Sequence, residues 1–63
     1  MVGEKIRTVR VVKGYSQEYM AFNLNISQNS YSKIERNITK VTLERVYEIA
    51  DILNIQVTEL LPT

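Results

Sequence analysis

Apolar residues recur along this chain mostly at spacings of three and four, the pattern of helices packed against one another rather than of alternating strands. Val2, Ile6 and Val9 form a first stripe and predict a helix from Val2 to Lys13, with Gly14 where a left-handed C-cap would sit. Tyr15 begins the next element. Ser16 is a good N-cap for a second helix, which runs through Gln17 with Met20, Ala21 and Leu24 as its buried stripe. Asn25, the non-glycine residue most tolerant of positive φ, marks a tight turn; Ile26 plugs it, and Ser27 caps a third helix. In that helix Tyr31 and Ile34 face inward, and Gln28, Asn29, Ser32, Lys33 and Arg36 face outward. Asn37 ends it and residues 38–41 form a loop. A fourth helix starts around Thr42 with Leu43, Val46, Ile49, Ala50 and Leu53 inward, and Asn54 ends it. Ile55 and Val57 lead to a short last turn over residues 58–61 before Pro62. The expected fold is all-α, a compact five-helix domain.

With 63 residues the chain has room for one domain, 1–63, and none for a deep substrate cavity. The absence of Cys removes disulfides, and the absence of both Cys and His removes the usual zinc ligands, so neither a metal nor another cofactor is expected. No apolar run approaches the roughly 18 residues of a membrane span, and the N-terminus lacks the order of a signal peptide; a soluble, cytoplasmic protein is the expectation. Enzymatic chemistry finds no support. There is no Gly-rich phosphate loop and no nucleophile with a base, and Ser16 and Ser27 are explained as caps.

Charge changes the picture only when the chain is divided. The net charge is +1, but residues 1–40 hold seven bases against three acids, whereas residues 41–63 hold only Arg45 against four acids. That asymmetry turns the first forty residues toward a polyanion. The same region carries two capped helices joined by a very short turn, a small Ala21 that allows close crossing, and an outward face of hydrogen-bonding side chains on the third helix.

The phrases Gly14-Tyr15-Ser16-Gln17-Glu18, Met20-Ala21 with Leu24, Ile26-Ser27-Gln28, Tyr31-Ser32-Lys33-Ile34-Glu35-Arg36, and Leu43, Ile49-Ala50, Leu53 and Ile55 together resemble the phage-repressor and Cro family of helix-turn-helix regulators over essentially the whole chain. The resemblance implies a lambda-repressor-like fold in which the second and third helices form the helix-turn-helix and residues 27–36 enter the major groove of double-stranded DNA. It implies base reading by Gln28, Asn29, Ser32 and Lys33; Gln bonds adenine through both N6 and N7. It assigns DNA phosphate contacts to Gln17, Ser27, Arg36, Asn37, Thr39 and Lys40, with Gln17 also bracing the recognition helix. Arg10 and Glu35 fall where some relatives hold a partly buried ion pair. Ile55, Val57 and Leu60 become candidates for a homodimer interface, against the simpler reading that they close the core of one protomer.

The chain departs from the family pattern in having Asn25, Asn37 and Asn54 where Gly is usual, Val41 where Pro is usual, and Tyr31 where a smaller aliphatic residue is usual. The Tyr31 hydroxyl then needs water, a phosphate or a buried acceptor. Val11, Val12, Tyr19 and Phe22 lie off the predicted stripes and are candidates for a surface that holds a protein partner. The resulting expectation is a sequence-specific transcriptional regulator, a repressor, that binds a pseudo-palindromic operator as a dimer. The alternatives are an antitoxin or protein-binding adaptor built on the same fold, and a restriction-modification controller.

Overall fold

A computed structural model describes residues 2–61. It contains four α-helices, α1 (Val2–Lys13), α2 (Gln17–Leu24), α3 (Gln28–Glu35) and α4 (Leu43–Leu53), followed by a 3₁₀ turn at Val57–Glu59. The expected fifth helix is therefore corrected to this single turn of three residues. It is closed by the i→i+3 bonds Glu59 N–H to Gln56 O and Leu60 N–H to Val57 O, both 3.0 Å. Leu60 inserts into the core immediately afterwards.

Side-chain oxygens start three of the helices by accepting one free first-turn amide each. Ser16 Oγ accepts Tyr19 N–H at 2.9 Å, Ser27 Oγ accepts Ser30 N–H at 3.0 Å, and Thr42 Oγ1 accepts Arg45 N–H at 3.1 Å. All four helices end in the same way. A left-handed residue follows each (Gly14 at φ 79°, Asn25 and Asn37 at 60°, Asn54 at 59°), and its N–H and that of the next residue fold back onto the helix's last carbonyls. After α2, for example, Asn25 N–H reaches Phe22 O at 3.1 Å and Ile26 N–H reaches Ala21 O at 3.0 Å. The residue after the left-handed position is apolar in each case. Tyr15, Ile26 and Ile55 pack against the core there, whereas Ile38 remains exposed.

The core joins Ile6 of α1, Met20, Ala21 and Leu24 of α2, Tyr31 and Ile34 of α3, Val46, Ile49, Ala50 and Leu53 of α4, and Leu60. Ala21, 3 % exposed, sits where α2 crosses α3. Leu43, expected inward, is exposed instead. It shares the face of Val46 and Ala50 by spacing, but it is the first residue of α4, one turn before the first buried residue of the helix, Val46.

Candidate nucleic-acid interface

The outward face of α3 is built of polar side chains held in a fixed frame. Gln28, Asn29, Lys33 and Arg36 are exposed and Ser32 is half-buried. The helix's one acid, Glu35, is turned into the protein and is 5 % exposed, so the face presents no carboxylate. Beside it, Thr39 and Lys40 are exposed in the loop that leads to α4. Ser27 is exposed at the head of the helix, its hydroxyl also donating to Ser30 Oγ at 2.9 Å.

Glu35 is the centre of a polar network that ties three helices together. Arg10 of α1 grips its carboxylate through two donors, Nε to Oε2 at 2.6 Å and Nη2 to Oε1 at 3.2 Å. Gln17, the first residue of α2, adds Nε2 to Oε1 at 3.0 Å. Arg10 Nη1 also donates to Tyr15 O at 2.8 Å, which binds the α1–α2 turn into the same cluster. Burial pushes the Glu35 carboxyl up, but the Arg10 hydrogen bonds, then the neighbouring Tyr31 hydroxyl, Gln17 and the Arg10 charge outweigh it and hold the group below its ordinary range. For Arg10, the Glu35 bond outweighs desolvation and raises the guanidinium pKa. Tyr31 is fully buried next to this cluster, and its hydroxyl has no hydrogen-bond partner in acceptable geometry. Burial first, then the Glu35 carboxylate, hold the phenol far above its usual range. Gln17 thus lies against α3 as a brace; whatever reaches its outer side meets a side chain already oriented.

The C-terminal end of α3 is fastened to the start of α1 by residues that sequence reasoning left out or assigned elsewhere. Asn37 Oδ1 accepts Gly3 N–H at 3.0 Å while its Nδ2 donates to Glu4 Oε1 at 2.8 Å, a bond that is the first cause of the lowered Glu4 pKa. Its own N–H is bonded to Ile34 O at 3.1 Å. Asn37, expected as a phosphate contact, is thereby engaged as a structural link on both its side chain and its amide. Gly3 is buried because a Cβ there would stand 2.6 Å from each of Asn37 Oδ1, Glu35 O and Ile34 O. A glycine in the first turn of a helix, where it costs helix propensity, was the one available signal.

The remaining candidates lie elsewhere. Ile55 and Val57 are half-buried and line a shallow groove of about 590 Å³ with Tyr47 and Asp51, whereas Leu60 is fully buried in the protomer's own core. Val11, Val12, Tyr19 and Phe22 are exposed, Phe22 at 83 % and Val12 at 79 %. Tyr19 stacks on Tyr15 with ring centroids 4.6 Å apart. Among the described residues no helix is long and apolar enough to cross a membrane.

Two short helices joined by the three-residue turn Asn25-Ile26-Ser27, the second carrying an acid-free polar face, define a helix-turn-helix module. A helix-turn-helix family profile matches residues 6–60, and the chain belongs to that family. It is 40 % identical over 60 residues to an uncharacterized HTH-type transcriptional regulator, YazB, of Bacillus subtilis (strain 168), covering 95 % of this chain and 87 % of the relative. It is 34 % identical over 62 residues to the control protein C.BamHI of Bacillus amyloliquefaciens, covering 97 % of this chain and 76 % of that one. In three dimensions it is similar to SinR, a master regulator for biofilm formation solved by crystallography in complex with DNA. The TM-score is 0.85 at 30 % identity, over 98 % of this chain and all of the SinR chain.

Proposed function

We propose that this chain is a sequence-specific DNA-binding transcriptional regulator that reads the major groove of double-stranded DNA with the outward face of α3. The observation that carries the reading is the combination of an acid-free polar face with a buried network that fixes its orientation. Base reading needs donors and acceptors held in register, since each good bidentate pair discriminates by about 1–3 kcal/mol only when correctly placed. Gln28, Asn29, Ser32 and Lys33 are the base-reading set, with Gln28 at the entering end of the helix. Gln17, Ser27, Arg36, Thr39 and Lys40 surround them and meet phosphates, which set register and supply most of the sequence-independent affinity. The similarity to regulators, one of them solved with DNA, supports the assignment.

A single module of this size offers limited contact, so the active species is a homodimer on a pseudo-palindromic operator, with two copies of α3 about 34 Å apart. Ile55 and Val57, half-exposed beside Tyr47, are the residues that would meet their symmetry mates; Leu60 supports them from within the protomer. Action by occlusion of polymerase fits a repressor in the cytoplasm. The likeness to a control protein gives partial support to the alternative setting, a restriction-modification controller with the same DNA-binding activity.

The test is selection of bound fragments from a random duplex pool at low and moderate salt, with sequencing of the retained DNA. A two-fold-symmetric motif with half-sites one helical turn apart is expected, and Gln28→Ala should relax one base pair per half-site. Equal loss on operator and random DNA would remove Gln28 from the reading set. Failure to enrich any motif would turn attention to the exposed Val12 and Phe22 surface and to a protein partner.

A further inference from the structure

Between α3, the α3–α4 loop and the first turn of α4 lies a cleft of about 370 Å³ whose polar lining is Ser30, Lys33, Thr39, Lys40, Thr42 and Arg45. Three cations and three hydroxyls line it, and no carboxylate does. Lys33 and Lys40 belong to the face already described. Arg45 does not, and it is the one base in residues 41–63.

The backbone determines where its charge sits. The turn that closes α2 uses the carbonyls of Ala21 and Phe22, and Arg45 Nη1 reaches across from α4 to Leu24 O at 3.3 Å. A cation at a helix C-terminus is favoured by the partial negative charge there. The contact joins the guanidinium to the end of α2, within the helix-turn-helix. The same Nη1 stands 3.2 Å from Glu48 Oε1, but Glu48 is largely exposed and outside the cleft, so this pair is a weak competitor in water. Nη1 makes both contacts, and a guanidinium has further N–H donors on its other nitrogens.

We infer that Arg45 is a phosphate-binding residue of the DNA interface, holding one backbone phosphate at the α4 side of the cleft. This rests on the DNA-binding reading given above and adds to it a residue on α4, outside the helix-turn-helix. Arg45 reads no base. It grips the strand on the α4 side of the recognition helix, so its contribution is the same on operator and on random duplex and is screened by salt.

The experiment measures binding of the intact chain to operator and to random duplex across a salt series, for wild type, Arg45→Gln, Arg45→Lys and Glu48→Gln, with circular dichroism confirming each fold. Each neutralised phosphate contributes about 0.9 to the slope of log affinity against log salt. Arg45→Gln should therefore lower both affinities by the same factor and lose roughly one unit of slope. Its affinity loss between 50 and 200 mM salt is then smaller than the wild type's by roughly 3.5-fold. Arg45→Lys keeps the slope. Glu48→Gln, at an exposed site, raises affinity on both duplexes, a gain that misfolding cannot produce. An unchanged slope in a folded Arg45→Gln variant, beside a salt-dependent wild type, overturns the role of Arg45 alone. A wild type that binds neither duplex at low salt overturns the DNA-binding reading and this inference with it.

Discussion

Replacing Arg10 by Met removes the cation from a carboxylate that the fold keeps buried, and the consequence follows from the geometry. The Arg10 and Glu35 side chains are 12 % and 2 % exposed, so water cannot take the place of the lost partner without opening the junction of α1, α2 and α3. Gln17 alone is left on the carboxylate. Breaking a buried pair from one side costs about 3–5 kcal/mol, whereas a chain of this length has a total stability of only about 3–9 kcal/mol. The melting temperature should drop by roughly 12 °C or more.

The pH dependence carries the sharper test. In the wild type the Glu35 pKa is depressed, so the folded state binds fewer protons than the unfolded chain; its stabilising contribution is present above the unfolded pKa and is lost as pH falls through the folded one. In Arg10→Met the largest opposing partner is gone, and burial, opposed only by Gln17 and the nearby Tyr31 hydroxyl, raises the pKa. The folded state then binds more protons, and the variant should gain stability as pH falls from neutral toward about 5, opposite in sign to the wild type. The double variant Arg10→Met/Glu35→Leu should recover most of the lost stability at pH 7 and lose the acid-induced gain. Urea unfolding followed by far-ultraviolet circular dichroism at several pH values measures all of these. A single variant that loses under 1 kcal/mol, or that shares the wild type's pH slope, would refute the claim that Arg10 compensates the buried charge.

Three further substitutions test other parts of the frame. Gly3→Ala should destabilise the fold by about 1–3 kcal/mol in urea unfolding, because two of the three oxygens met at 2.6 Å are backbone carbonyls of α3 and cannot rotate away. An unaltered midpoint would mean that α1 shifts freely. Tyr31→Phe should change stability by less than about 1 kcal/mol, since the buried hydroxyl it removes makes no well-aligned hydrogen bond and yet lies beside the Glu35 carboxylate; a larger loss would show that this hydroxyl bonds Glu35 in solution. Asn25→Gly and Asn37→Gly both relieve a φ of 60°, but only the second discards bonds to Gly3 and Glu4, so it should be the less stable of the two by about 1 kcal/mol. Equal midpoints for the two variants would deny the Asn37 link any net value.

Local chemistry explains what could be read from the residues and what could not. Caps and left-handed stops act within one turn of their own sequence, so Ser16, Ser27 and Thr42 and the four residues Gly14, Asn25, Asn37 and Asn54 marked the helices before any fold was known. Periodicity likewise places Tyr31 and Ile34 inward, but it gives a helix's face and not the turn at which burial begins, so it puts Leu43, the exposed first residue of α4, inward. It also cannot distinguish a helix from a 3₁₀ turn when only a few residues remain, which is why the last element was overcounted.

The site divides along the same line. The outward residues of α3 follow from spacing, whereas their rigidity comes from contacts between residues 18 to 34 apart in the chain, Gln17 and Arg10 on Glu35 and Asn37 on Gly3. Asn37 shows the difference most plainly. The family resemblance implies a phosphate contact there; in the folded chain the Asn37 side-chain amide faces α1 and fixes the far end of α3. A recognition helix fastened at Gln17 near its partner helix and at Asn37 near α1 has little freedom to tilt. On the proposed reading, its polar face would meet a duplex already in register, and discrimination between base pairs would fall to the side chains of Gln28, Asn29, Ser32 and Lys33 rather than to adjustment of the backbone beneath them.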